Sequence, residues 1–239
     1  MTDKNITFRS DVTVELVKSS AKDSDVAMAA RVSTIGGSHD EAVDLTKDDG
    51  LINFLMRDRH GSPFEHNSFT FYIEAPIFVA REFFRHRAGW SYNEESGRYK
   101  ELAPTFYVPG PDRNLQQVGK PGAYTFEPGT SFQKGLVPYV FESMYAELYG
   151  EYEAMLLHGI AKEVARMILP VGIFTSFYAT CNARSLMHFL SLRTTDENSK
   201  FPSFPQREIE IVAEKMEDFF HQDMPLTWGA FQRHGRVAP

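Results

Sequence analysis

Val12, Val14 and Leu16 alternate with Thr13, Glu15 and Val17, and a period of two predicts a half-buried strand. Ser24 is placed to cap a short alanine-rich helix from Asp25 to about Val32, and Gly36, Gly37 and Ser38 mark a loop after it. From about Lys47 to Asp58, Leu51, Ile52, Phe54 and Leu55 give a helical apolar face. His60 to His66 reads as a turn-rich connector, after which Phe69, Phe71 and Ile73 alternate with Ser68, Thr70 and Tyr72 in a second strand. Pro76 suits the opening of a helix, where its missing N–H is not needed, and that helix would carry Arg81 and Arg85 on one face. Residues 109–138 are rich in Pro and Gly and predict a long surface loop. A helix from Val140 to Leu157 follows, broken at Gly159, and another runs to Leu169 before Pro170. Asn182 to Arg193 and Pro205 to His221 read as the last two helices. No repeat or low-complexity tract interrupts this pattern. The expected class is α/β, with an α+β character, in one domain spanning 1–239.

Composition narrows the function. A chain of 239 residues can bury roughly 70–75% of its unfolded surface, so no staple is required. The net charge of −7 opposes a nucleic-acid coat or a binder of anionic membranes, since both need a basic field. The single cysteine, Cys181, excludes an intramolecular disulfide framework and fits a reducing cytoplasm. No signal-peptide core and no transmembrane run are expected.

Against this acidic background, Arg81, Arg85, Arg87 and Arg98 cluster within twenty residues. Guanidinium forks suit phosphate, and Ser91, Asn93 and Ser96 add the neutral groups that a sugar and a base edge require. The plain alternative is a solvated helix end pairing these arginines with Glu82, Glu94 and Glu95. A second constellation sits on the helix beginning at Asn182. There Arg184 and His188 stand four apart, and Arg193 lies at the C-terminal end, where the helix dipole alone would favour a cation. His60, His66 and His86 match no compact zinc spacing, so no metal site is expected. Cys181 reads better as a buried small hydrophobe than as a nucleophile. There is no Gly-rich dinucleotide fingerprint and no P-loop.

Arg85-His86-Arg87, followed by Ser91 to Tyr99, resembles the signature of the flavin-dependent thymidylate synthases. Ser62 to His66, Ala75 to Arg81, Arg166 with Leu169-Pro170, and Asn182 to Ser185 with Arg193 fall in the same family's order. The resemblance covers about Ala29 to Arg207. It implies the family's own fold, with helices around a small, mainly antiparallel sheet, and a homotetramer with shared active sites. It implies FAD, with NADPH and methylenetetrahydrofolate as co-substrates, converting dUMP to dTMP without an enzymic thiol. By position, Ser62, Arg85, His86, Arg87, Glu94, Asn182, Arg184 and His188 correspond to flavin-binding residues, with Ser33 as a further contact. Glu82, Arg85, Glu95, Ser96, Gly97, Arg98, Arg166 and Arg193 correspond to the dUMP-binding set. Arg193 is the catalytic assignment: its charge would hold the uracil as a polarised, partly anionic ring and make C5 nucleophilic.

Three departures stand out. Eight residues, Ala88 to Glu95, separate the Arg-His-Arg triplet from Ser96 where the family pattern has seven, and the extra one falls in Ala88-Gly89-Trp90. Glu82 occupies a glutamine position, and Thr194 to Phe204 is an insertion after Arg193. Two other classes compete with the enzyme. One is an RNA-binding module stacking bases on Trp90, Tyr92 and Tyr99; the other is a histidine-based metal hydrolase. The net charge opposes the first, and the absence of a ligand motif opposes the second.

Overall fold

The structure is a computed structural model and describes residues 5–36, 45–120 and 123–239. In chain order the first elements are β1 (Thr7–Arg9), β2 (Thr13–Ser19), α1 (Asp23–Ile35), α2 (Leu45–Arg57), a 3-10 turn (Ser62–Glu65), β3 (Phe69–Pro76), α3 (Ile77–Phe83) and β4 (Trp90–Glu94). Next come β5 (Thr105–Tyr107), β6 (Gln116–Lys120), β7 (Ala123–Glu127), α4 (Ser131–Leu157), α5 (Lys162–Ala165) and a second 3-10 turn (Arg166–Ile168). The last are β8 (Phe174–Cys181), α6 (Ala183–Arg193), α7 (Arg207–Asp223) and α8 (Pro225–Arg233). Helix exceeds strand by more than two to one, and the strands form small sheets, as the expected class requires. No helix among the described residues is long and apolar enough to cross a membrane.

The chain divides into two compact units, each assembled from separated segments. The first takes the described parts of 1–12, 74–81 and 94–176. In it β1 pairs with β5 in parallel, β6 pairs with β7 antiparallel, and α4 packs three tyrosines against the Phe106 region. Tyr149 and Tyr152 bury their rings but bond their hydroxyls to the Leu102 carbonyl (3.0 Å) and N–H (3.3 Å), so the polar tips carry no desolvation penalty.

The second unit takes the described parts of 13–73, 82–93 and 177–239. The four-stranded sheet has the order β2-β3-β8-β4. On α7, Ile209, Val212, Ala213, Met216 and Phe220 recur at helical spacing and are all buried, and the helix packs against α6, α8 and β2. Phe83 lies at the centre of an aromatic cluster, with ring centroids 4.6 Å from Phe189, 5.4 Å from Phe177, 5.5 Å from Trp90 and 5.8 Å from Tyr92. Phe83→Ala should therefore cost about 3–5 kcal/mol, read as a lowered denaturant midpoint at unchanged slope.

Several expectations need correction. Ser24 lies inside α1, whose cap is Lys22; the Lys22 N–H donates to Asp25 (3.1 Å). Pro76 closes β3 rather than opening a helix, because the chain stays extended one residue longer before Ile77. α3 stops at Phe83, so Arg81 and Arg85 do not share a helical face. The 109–138 stretch is no plain loop: it holds the β6–β7 hairpin and the first turns of α4. Thr130 caps α4 through Gln133, and Pro138 is carried inside the helix. Gly159, at φ +81°, follows the end of α4 as expected, and Gly36, at φ +76°, ends α1. Gly37 and Ser38 of the predicted loop lie outside the described residues.

Candidate active site

In the second unit α6 organises the chemistry. Asn182 caps it by accepting the Ser185 N–H at 2.9 Å, which fixes the first turn. One side of this helix start meets the turn after the Arg-His-Arg triplet. The Trp90 N–H donates to the Arg87 carbonyl (3.2 Å), Gly89 takes φ +71°, and the buried Ser185 hydroxyl donates to the Ala88 carbonyl (2.9 Å). The extra residue is thus taken up as a tight turn resting on α6.

Arg184 points the other way. Its guanidinium donates to Glu65 (2.5 Å) and to the Pro239 carbonyl (2.6 Å), and it lies over Gly61, where a Cβ would come within 2.5 Å of its Cζ. Ser62 sits exposed beside this contact, opening the 3-10 turn. One helical turn beyond Arg184, the His188 imidazole is held below its ordinary pKa, first by desolvation and then by Arg184 and Arg59.

At the last turn of α6, Arg193 donates from Nε to His86 Nε2 at 3.0 Å and from Nη1 to the Glu82 carboxylate. His86 must be a neutral acceptor at Nε2 for this bond. Its surroundings enforce that: burial, then Arg193 and Arg85, push its pKa down to about 4. Glu82 is half-buried and neutralised by Arg193, which gives the glutamate at this position a physical role. A cavity of about 510 Å³ opens beside them, lined by Arg59, His188, Arg193, Phe201, Phe204 and Arg236 among others. The 194–204 insertion therefore supplies one of its walls. Arg85 and Arg87 are exposed, and among the described residues neither guanidinium bonds a carboxylate.

The first unit holds the other expected nucleotide residues. Glu95 accepts the Ser176 N–H (2.9 Å) and pairs with Lys100 (2.7 Å), while Glu94 accepts from Thr175 (2.8 Å). Ser96 accepts the Tyr99 and Lys100 N–H groups on its carbonyl, forming a turn. Gly97 is buried against Arg166 and Leu102, with a Cβ there 3.2 Å from Arg166 Cδ. Arg98 pairs with the exposed Glu163 (2.7 Å). The solvated pairing of the arginine cluster with Glu82, Glu94 and Glu95 is therefore not what forms, because those carboxylates bind Arg193, Thr175, and Ser176 with Lys100.

Other candidates resolve differently. Trp90 and Tyr92 stack at 5.8 Å within the aromatic cluster, and only Tyr99 stands mostly exposed, so the base-stacking row of the RNA-binding alternative does not form. Cys181 is buried and its thiol pKa is pushed well up by burial, the state of an inert packing residue. Ser33 is exposed at the end of α1 and donates to Ala30 O (2.9 Å). Arg59, Glu65 and Arg236 received no role from the sequence. Glu65 was inside a recognised block, whereas Arg59 and Arg236, both at positive φ, carried no pattern at all.

The low His86 pKa has a consequence for stability. Between pH 6.5 and 4 the unfolded chain takes up a proton on this residue that the folded chain refuses. Stability from His86 is thus complete above pH 6.5 and is lost as the pH falls toward 4. Solvent still reaches the ring, so the screened loss should be about 1–2 kcal/mol. Denaturant midpoints at pH 7.5 and 5.0 should separate in the wild type by more than in His86→Asn.

An arginine held on a neutral histidine lines a cavity with two further arginines, an arrangement chemically suited to an anionic group. The family described as "Thymidylate synthase complementing protein" matches residues 15–226. A flavin-dependent thymidylate synthase of Streptomyces avermitilis is 64% identical over 237 residues, covering 97% of this chain and 95% of that protein. Its counterpart in Tropheryma whipplei (strain TW08/27) is 56% identical over 234 residues, covering 97% of each. A crystal structure of the UMP/dUMP methylase PolB from Streptomyces cacaoi, bound with 5-Br dUMP, superimposes with a TM-score of 0.93 at 52% identity, covering 98% of this chain and 100% of that one. The chain belongs to the flavin-dependent thymidylate synthase family.

Proposed function

We propose that this chain converts dUMP to dTMP, with methylenetetrahydrofolate giving the one-carbon unit, NADPH the reducing equivalents and FAD as resident cofactor. The observation that carries this reading is Arg193, held between neutral His86 and Glu82 at the mouth of the cavity. The donor set suits FAD: the exposed Arg85 and Arg87 forks, which bond no carboxylate among the described residues, match a pyrophosphate, and neutral His188 and Asn182 offer the polar edge of a ring system. When bound and reduced, FAD supplies the hydride that turns the transferred methylene into a methyl group. The chain's own work is electrostatic. Arg193 holds the uracil as a partly anionic ring, so that C5 attacks the one-carbon unit without a covalent thiol adduct. Neutral His86 orients Arg193 and accepts no proton, since imidazolium could not receive the Nε–H. The buried Cys181 takes no part.

Flavin contacts are assigned to Ser62, Arg85, His86, Arg87, Glu94, Asn182, Arg184 and His188. The nucleotide is assigned to Glu82, Arg85, Glu95, Ser96, Gly97, Arg98, Arg166 and Arg193. A nucleotide phosphate brings about −1.5 to −2 charges, by analogy with a phosphorylated side chain, which the local arginines offset despite the acid excess of the chain. A cytoplasmic homotetramer, each subunit a single working domain, completes the reading. The exposed apolar row Phe132, Leu136, Tyr139, Val140 and Met144 on α4 supports association.

Purified protein should be yellow, its absorption band bleached by NADPH, and should form dTMP from dUMP with methylenetetrahydrofolate. A colourless protein that gains no band with added FAD would sink the flavin assignment. UMP run in parallel tests the sugar, because the similar PolB is a UMP/dUMP methylase; faster turnover of UMP would overturn dUMP as the substrate.

A further inference from the structure

Arg236 is a buried cation outside every role assigned above. The residue is 3% exposed and adopts φ +56°, a left-handed conformation that costs a non-glycine residue energy. Both terminal nitrogens of its fork are directed: Nη1 donates to Glu217 Oε1 (2.6 Å), and Nη2 donates to Glu217 Oε2 (2.7 Å) and to Thr194 Oγ1 (2.6 Å), while the buried Nε has no partner among the described residues. Glu217, on α7, also accepts from Trp228 of α8 at 2.9 Å, so two helices set the direction of the fork. A buried ion pair is a weak source of net stability, and its better-attested use is to select one arrangement.

The arrangement selected here is that of Thr194. This buried residue directly follows Arg193 and caps α6. Its N–H and its hydroxyl both donate to the Leu190 carbonyl (3.0 and 2.7 Å), and its own carbonyl accepts from Ser203 (2.7 Å). Helix ends fray because their last carbonyls lack partners. A functional guanidinium on the final helical residue is therefore vulnerable unless the following residue is pinned. Thr194 is pinned at its nitrogen, its hydroxyl and its carbonyl oxygen.

We propose that Arg236 and Thr194 are positioning residues for Arg193: the Arg236 fork, oriented by Glu217, locks Thr194 and so keeps the last turn of α6 in register with His86 and Glu82. The proposal rests on the role assigned to Arg193 above. The test uses full-length, flavin-loaded protein carrying Thr194→Val, which keeps the shape and removes the hydroxyl, with Arg236→Met as a second variant. Each is made in the wild-type and Arg193→Lys backgrounds. Thr194→Val should lower kcat per bound flavin about tenfold or more while KM for dUMP stays within about twofold. In the Arg193→Lys background it should add no further loss, the mark of two residues acting as one unit. Proton NMR supplies a readout independent of turnover. His86 is held at a low pKa partly by Arg193, so loosening Arg193 should raise the His86 titration midpoint. That separates failure of the positioning role from failure of the dUMP assignment. Unchanged kcat per flavin, losses that add in both backgrounds, or an unmoved His86 midpoint would each overturn the proposal; a lower Tm with these unchanged would reduce the clamp to a stabilising contact.

Discussion

Arg193→Ala is expected to keep its flavin and to lose about 10²- to 10³-fold in kcat for dTMP formation, the range found when one preorganised charge donor is removed from a developing anion. The expectation follows from how Arg193 is held. Its Nε is committed to His86 Nε2 and its Nη1 to Glu82, leaving Nη2 without a partner among the described residues, and the residue lines the cavity. Of the residues assigned to the flavin only His86 bonds Arg193, while Ser62, Arg85, Arg87, Glu94, Asn182, Arg184 and His188 do not, so occupancy should survive. The loss should fall on kcat more than on KM, because a charge that matters most as the uracil becomes anionic contributes little to ground-state binding. Glu82 complicates the alanine variant, since it is left half-buried without its cation. Glu82→Gln with Arg193→Ala removes that complication: if the double variant recovers near wild-type turnover, Arg193 only neutralises Glu82 and has no electrostatic role in the reaction. Wild-type turnover in Arg193→Ala alone would dismiss the assignment outright.

How far such a site could be read from the chain depends on the distance over which its parts meet. α6 was legible because its determinants are local: the Asn182 cap, the apolar stripe of Leu186, Phe189 and Leu190, and Arg184 with His188 at i and i+4. α7 was legible for the same reason, with period and polarity agreeing over four turns. β8 was missed. Its burial alternates, with Thr175, Phe177, Ala179 and Cys181 inside and Ser176, Tyr178 and Thr180 on the open face, but the residue types hide it: polar Thr175 is buried and aromatic Tyr178 is exposed. The stop of α3 at Phe83 was also invisible, since no glycine or proline ends it there; the following residues turn because His86 must reach Arg193, 107 positions away. The pairing of Arg184 with Glu65 spans 119 positions. Residue types announced the chemistry of such contacts, but only the tertiary fold chose the partners. The proline and glycine content of 109–138 misled in the opposite sense, marking the edges of a hairpin and the run-up to a capped helix rather than an unstructured loop.

Gly89→Ala should disable flavin retention without touching a single proposed ligand. Two effects act on one atom. At φ +71° an L-residue costs roughly 1–2 kcal/mol more than glycine. The added Cβ would also sit 2.0 Å from Ser185 Oγ, so the Ser185–Ala88 hydrogen bond must break or the turn must lift off α6. Losing that bond adds about 1 kcal/mol, more if the Ala88 carbonyl stays buried. The turn begins at Arg87 and is anchored against the same helix start that Asn182 caps, so lifting it moves Arg87 relative to Asn182 and Arg184. One contact assigned to the flavin is then displaced from two others, and the flavin-to-protein ratio should fall about tenfold, the equivalent of about 1.4 kcal/mol in binding. Ser185→Ala separates the two causes. In the Gly89→Ala, Ser185→Ala double variant the closest clash is gone while the backbone cost remains, so flavin content should recover in part but not fully. Full recovery would mean that φ is irrelevant; no recovery would mean that contact with Ser185 is. A Gly89→Ala protein that binds flavin like the wild type would show that the extra residue in this loop is slack, and that the turn does not set the position of Arg87.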